Sequence, residues 1–167
     1  MRNERTKKLV LSAMLIAIGV IGGAWSIPIG ASKCAPVQHM INILSATILG
    51  PLYGTVMAFI ISLLRNIMGT GSLLAFPGSM FGAFLSGVLF KLFKKSTIAA
   101  ILGELLGTAV LGGMCAYPIA MLFMNNSSAA IFTYVIPFLV SSLGGTIIGT
   151  IIYITLKKTK ALDKMGI

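Results

Sequence analysis

Acidic residues are nearly missing from this chain, whose carboxylates number three in 167 residues (Glu4, Glu104 and Asp163), and His39 is its one histidine. Catalysis by paired carboxylates, by a helical HExxH metal motif or by a Gly-rich phosphate loop with its lysine therefore lacks the residues it needs. An ATP-driven cycle would require another subunit. Binding or transport is the expected class, and no enzyme is expected, an intramembrane enzyme ranking behind it. Two cysteines, Cys34 and Cys115, show neither metal-ligand spacing nor a disulfide framework, so packing is the role expected of both and no metal site is expected. Charged residues of all kinds make up 10% of the chain, where a soluble domain carries about a quarter. What is present instead is apolar: 57% hydrophobic residues and a mean hydropathy of +1.00. That balance describes an integral membrane protein with the lipid bilayer as its partner. Each helical span uses roughly 20 residues, so the length provides one membrane domain over residues 1–167 and no soluble one. The net charge of +10 comes from Lys and Arg placed beside apolar runs. It reads as a topology signal and not as a nucleic-acid surface.

In chain order, the basic start MRNERTKK precedes an apolar run that Pro28 ends. The start is like that of a signal peptide, but further spans follow and no small-residue cleavage site is present, so a retained helix is expected. Pro36 suits the first turn of the next helix, where its missing N–H costs nothing. Gly50-Pro51 divides the following stretch into either two short spans or one kinked helix, and charge decides between them. With two spans the lysines at 91, 94 and 95 and those of the C-terminal segment join the N-terminal basic residues on one side, leaving Lys33 and Arg65 on the other. The positive-inside rule thus predicts an all-α membrane protein with six transmembrane helices, multi-pass in the cell membrane, both termini cytoplasmic. The spans are expected at about 9–27, 37–50, 51–68, 77–93, 97–124 and 129–156. Pro118, Pro137 and Gly112-Gly113 are expected kinks. Small residues four apart recur, as Ala13 and Ala17, Gly78 and Gly82, Gly103 and Gly107, and Gly145 and Gly149, a spacing that lets helix backbones approach closely.

Polar residues at the ends of these runs are the candidate site, because such groups are costly in lipid unless paired or facing a cavity. At about 100° per residue, Gln38, Asn42 and Ser45 share one stripe with His39 beside it. Thr55, Ser62 and Asn66 form a second, which ends next to Arg65. Ser79 starts the fourth span. The stripes could instead be interhelical hydrogen bonds, a reading that suits His39 with Gln38 least because a helix start calls for capping and not a bulky imidazole, and Arg65 could be an interfacial anchor. Trp25, Phe76 and Tyr117 lie at matching depth, as aromatic walls or as an interfacial belt. Glu104 is the one acid within a span, available as a proton or cation site, as a pair for a lysine such as Lys91, or as a subunit contact. It lines a pocket with Tyr117 only if the helix bends at Gly112-Gly113.

The segments PVQHMINILSATILGPLYG and SLLRNIMGTGSLLAFPGSMFGAFLSG resemble the ThiW family, substrate-binding S components of energy-coupling factor (ECF) transporters. The resemblance covers nearly the whole chain, and Pro-Val-Gln-His, Leu-Arg-Asn and Phe-Pro-Gly-Ser-Met are its most specific parts. It implies an S-component-like six-helix bundle and a vitamin precursor as ligand, 4-methyl-5-hydroxyethylthiazole. It also implies a transmembrane coupling subunit and two cytoplasmic ATPases as partners, with no cofactor in this chain and ATP used by those ATPases. In related S components an Ala-x-x-x-Ala motif of the first helix contacts the coupling subunit, and Ala13 and Ala17 stand in that place here. An aromatic wall from Trp25, Phe76 or Tyr117, with Gln38, His39, Asn42 and Asn66 as hydrogen-bonding partners, would suit such a ring in a pocket closed by the loop from Pro28 to Pro36. A phosphorylated ligand would call on Lys33 and Arg65 together. The alternatives are an S component for another vitamin precursor and a stand-alone secondary transporter with Glu104 as proton site.

Overall fold

The computed structural model describes residues 2–29 and 32–165. Helix α1 (Arg2–Gly22) begins inside the basic tail, and its C-terminal end is set by Gly22-Gly23, five residues before Pro28. The first expected span is therefore shorter at this end, because Ile27 and Pro28 belong to a hairpin. Strand β1 (Ile27–Ile29) pairs antiparallel with β2 (Ser32–Cys34), placing Pro28 opposite Lys33. The connecting residues 30 and 31 lie outside the described residues.

Proline then starts two helices in succession. Pro36 opens α2 (Pro36–Ile48) and Pro51 opens α3 (Pro51–Ile67), each at a position where no N–H is needed. Between them Gly50 takes a φ of 98°, a conformation open to glycine, so the chain reverses within a few residues. Helix α4 (Ala75–Leu92) follows a short loop. Ser96 caps α5 (Thr97–Leu105), its hydroxyl accepting from the Ala99 N–H at 3.4 Å. From there one rod runs to Phe123: α5, a π-helical stretch over Leu106–Gly112, and α6 (Gly113–Phe123) with Pro118 inside it. The expected weak point at Gly112-Gly113 is thus the end of a widened turn inside a continuous helix. Turns occupy the start of the last expected span, and α7 (Val135–Lys158) is followed by the short α8 (Ala161–Met165).

By length and apolarity, three of these helices qualify to cross a bilayer: Ala75–Leu92, Thr97–Phe123 and Val135–Lys158. Helix α3 is apolar but shorter. Helix α1 is not among the three, and the 13 residues of α2 rise about 20 Å, less than the ~30 Å of a hydrocarbon core. Helix α2 is enclosed by α1, α3, α4 and α7. Large apolar side chains such as Phe84, Leu102, Ile136, Ile147 and Ile151 face outward, whereas Gln38, Asn42, Ser62, Glu104, Thr108 and Ser142 are buried. This inversion is the pattern expected of a chain solvated by lipid.

Close packing around α2 depends on glycine. A Cβ on Gly145 of α7 would collide with the Pro36 carbonyl and stand 2.7 Å from the His39 Cβ, whereas one on the neighbouring Gly144 would lie 3.7 Å from the nearest atom, in ordinary contact. Gly145→Val is therefore expected to destabilise the protein by about 1–3 kcal/mol through overpacking, and Gly144→Ala to leave it unchanged. Melting curves of the two variants in detergent check this contrast.

Candidate functional site

The site lies at the end of the bundle where α2, α4 and α7 begin. It is a cavity lined by Ser32 and Lys33 of β2, Ala35, Gln38 and His39 at the start of α2, and Arg65 at the end of α3. Gly71 and Ser72 of the next loop, Ala75, Gly78 and Ser79 of α4, and Phe138 and Ser141 of α7 complete it. Its volume of about 30 Å³ holds roughly two water molecules. Anything larger enters only when part of this wall moves.

Gln38 is the hub of the wall. Its Nε2 donates to Ser62 Oγ at 2.8 Å and to Ser79 Oγ at 2.6 Å, joining α2 to α3 and α4. Its Oε1 accepts from Arg65 Nη1. Arg65 is 2% exposed, and its Nη2 donates to the carbonyls of Gly23 at 2.9 Å and Thr70 at 3.2 Å. The guanidinium thereby ties the end of α1, the end of α3 and the start of α2 together, a use for which its fixed fork of donors is suited. It has no carboxylate partner among the described residues, and its Nε is unpaired. With Lys33 it leaves the cavity mouth positive.

Beneath the cavity lies the acid. Glu104 is 0% exposed, and its Oε1 accepts from His39 Nδ1 at 3.0 Å, Asn42 Nδ2 at 3.2 Å and Thr108 Oγ1 at 3.1 Å. Lys91, an exposed residue beside Gly50, is not its partner. Three donors converging on one oxygen put a proton on His39 Nδ1 and leave Nε2 as the ring nitrogen not engaged by the carboxylate. Glu104 Oε2 and Asn42 Oδ1 have no hydrogen-bond partner. Asn42 also donates to the Ser79 carbonyl at 3.3 Å.

Of the residues expected from sequence, the cavity brings together Gln38, His39, Arg65 and Ser79, with Asn42 and Glu104 below them. Asn66 does not line it: its amide donates to the Ser62 and Ser72 carbonyls at 2.8 and 3.0 Å, bracing the loop behind the wall. Nor do the three expected aromatic residues. Trp25 is 82% exposed, Phe76 packs on Phe59 with ring centroids 5.6 Å apart, and Tyr117 lies on α6, partly buried, away from the lining. The aromatic wall is Phe138, which sequence reasoning missed. It fits because Gly78 opposes it, where a Cβ would stand 2.9 Å from the ring. Ser141 was missed as well; its hydroxyl accepts from the Ala35 N–H at 2.9 Å and fastens β2 to α7. The sequence signal for both was the position of Pro137 and the Ser141-Ser142 pair, polar residues early in an apolar run.

A family model described as "Thiamine-precursor transporter protein (ThiW)" matches residues 9–159. No curated protein matches the sequence. A solved structure described as the S-component for biotin from an ECF-type ABC transporter superposes with a TM-score of 0.67 at 22% identity, covering 96% of this chain and 94% of that one. The likeness at that identity is one of fold.

Gln38→Leu tests the hub. It strips Ser62, Ser79 and Arg65 of a partner at once, and each buried polar group left unpaired costs about 1–3 kcal/mol. The variant is expected to melt well below the wild type, with Ser62→Ala intermediate, in the same detergent assay.

Proposed function

The chain belongs to the ThiW family of thiamine-precursor transporter proteins, and on that premise we propose that it is the substrate-binding membrane subunit of an ECF-type uptake transporter. Its proposed ligand is the thiamin precursor hydroxyethylthiazole. The observation that carries this reading is the His39–Glu104 pair under a small cavity walled by Phe138. A lone carboxylate in a lipid-enclosed core is costly, and the hydrogen bonds that His39, Asn42 and Thr108 bring to Glu104 offset that cost. His39 Nε2, the ring nitrogen that Glu104 does not hold, is then available to pair with the ligand. Gln38, Ser79 and Ser141 supply partners for a hydroxyl, and the Phe138 ring stacks or edges against the heterocycle. With about nine heavy atoms and at most ~1.5 kcal/mol per atom, nanomolar affinity is accessible to such a ligand when it is almost wholly buried. The contracted cavity agrees with a site that closes around its ligand, the β1–β2 hairpin and the loop carrying Gly71 and Ser72 being parts of the wall that lie outside the helices.

In this reading the chain crosses the membrane six times with both termini cytoplasmic, which puts the cavity at the outer face. Passage through the membrane needs partners, a coupling subunit and two cytoplasmic ATPases, since this chain carries no motif for ATP. Ala13 and Ala17 are exposed on α1, while Ser12 and Leu15 are buried. The alanines thus do not pack against this chain's own helices and offer a flat stripe to a partner helix. A second reading is supported by the unpartnered Glu104 Oε2: a stand-alone, proton-coupled transporter in which the acid takes up and releases the proton. Uptake by vesicles containing this chain alone would favour it.

The central test is mass spectrometry of small molecules that co-purify with the solubilised protein, expected to find the thiazole; another vitamin precursor would move the assignment. His39→Ala and Glu104→Gln are each expected to weaken thiazole binding at least tenfold, matching a loss of about 1–3 kcal/mol per unpaired polar group. Unchanged affinity in both would place the ligand elsewhere. Ala13→Leu with Ala17→Leu is expected to abolish uptake in cells and association with the coupling subunit, while the purified chain keeps its thiazole affinity.

A further inference from the structure

At the opposite end of the bundle a second cavity, of about 390 Å³, opens where α2, α4 and α7 finish. Its floor is apolar, made by Ile48, Phe90 and Leu162, the last of these carried by α8 as it folds back onto the core. Its walls are basic. Lys95, Lys157 and Lys160 line it, with Asp163 as the one acid, an excess of two positive charges (three lysines less one aspartate). Among the described residues the one ion pair is His39–Glu104, so none of these lysines is neutralised by contact. Lys95 and Lys160 hold φ values of 63° and 53°, left-handed conformations that side chains rarely adopt and that glycine or asparagine would take more easily. Compensation of helix C-terminal dipoles explains basic residues here, but it calls for no cavity.

An independent observation comes from Tyr153. It lines the same cavity, is 6% exposed, and packs edge-on against Phe90 with centroids 5.9 Å apart. Its hydroxyl has no hydrogen-bond partner among the described residues. Because Tyr153 lines the cavity, this hydroxyl is a donor available to an acceptor that enters from outside the chain. Uncompensated lysines, a free donor and an apolar floor at a membrane surface together match a phosphate diester with hydrocarbon attached.

We propose that this cavity binds the phosphate of an anionic phospholipid headgroup, with the Tyr153 hydroxyl and Lys95, Lys157 and Lys160 as its contacts. The phosphate could also come from a soluble ester, but the apolar floor favours the lipid, whose glycerol backbone would rest on Phe90 and Leu162. Basic pockets between transmembrane helices are a known means of holding such headgroups.

The full chain, purified and freed of lipid, would be titrated with phosphatidylglycerol, phosphatidylcholine and glycerol 3-phosphate, with bound lipid counted by native mass spectrometry and melting temperature read in parallel. The expected result is preferential retention of phosphatidylglycerol with a raised melting temperature. Retention should fall at least tenfold in Lys157→Gln with Lys160→Gln, and should fall also in Tyr153→Phe, which removes a single oxygen and keeps the packing. Equal binding of the two lipids, or wild-type retention in both variants, would overturn the proposal and leave the lysines as orientation signals or as contacts for an acidic protein segment. A melting shift reached with glycerol 3-phosphate at lower concentration than with the lipid would overturn the lipid as source. Thiazole binding, measured on the same samples at the far end of the bundle, reports folding of the variants. Its absence in the wild type would count against the proposed substrate without bearing on the lipid site.

Discussion

A hydrogen-bonding group in hydrocarbon costs several kcal/mol unless it is paired, and α2 carries Gln38, His39 and Asn42 within its first two turns. The rest of the bundle is arranged to answer that one cost. Ser62 and Arg65 reach Gln38 from α3, Ser79 reaches it from α4, and Glu104 meets His39 and Asn42 from α5. Because a helix of 13 residues is too short to be solvated by lipid along its own length, it can carry these groups only at the centre of other helices. The short helix and the polar stripe are therefore two sides of one solution.

The starts of α2 and α3 were the most legible part of the sequence. Pro36 and Gly50-Pro51 act locally, through a missing N–H and a positive φ, so their effect can be read without knowing what surrounds them. The polar stripe of α2 was legible for a similar reason, since helical periodicity fixes which residues share a face. Partners were not. That Glu104 meets His39 and not Lys91 depends on which helices adjoin and how each is rotated, and neither is written in any local pattern. The same limit explains the aromatic residues: Phe76, Tyr117 and Phe138 are alike in type and near alike in depth, and helix rotation selects Phe138 for the wall, while Trp25 lies in the bend between α1 and β1. The hairpin of β1 and β2 was hidden because three-residue strands leave almost no alternation to detect.

The two ends of the bundle differ in how they treat charge. At one, Arg65 is withdrawn from solvent and spent on backbone carbonyls, and the acid below it is enclosed by donors. At the other, lysines stand exposed around an open cavity. The first arrangement favours a small ligand that is desolvated on entry, and the second an ion that stays partly in water.

The π-helical stretch over Leu106–Gly112 begins two residues after Glu104. A turn of this kind holds its hydrogen bonds five residues apart, one more than the helices on either side. Its existence therefore rests on residue count as much as on residue type. Removing a single residue there would restore ordinary helical pitch while the helices on either side keep roughly their present faces, whereas the same loss from α5 or α6 would turn everything beyond it by about 100°. Across natural variants of this chain, the loss of one residue should therefore be tolerated better within that stretch than in the helices on either side.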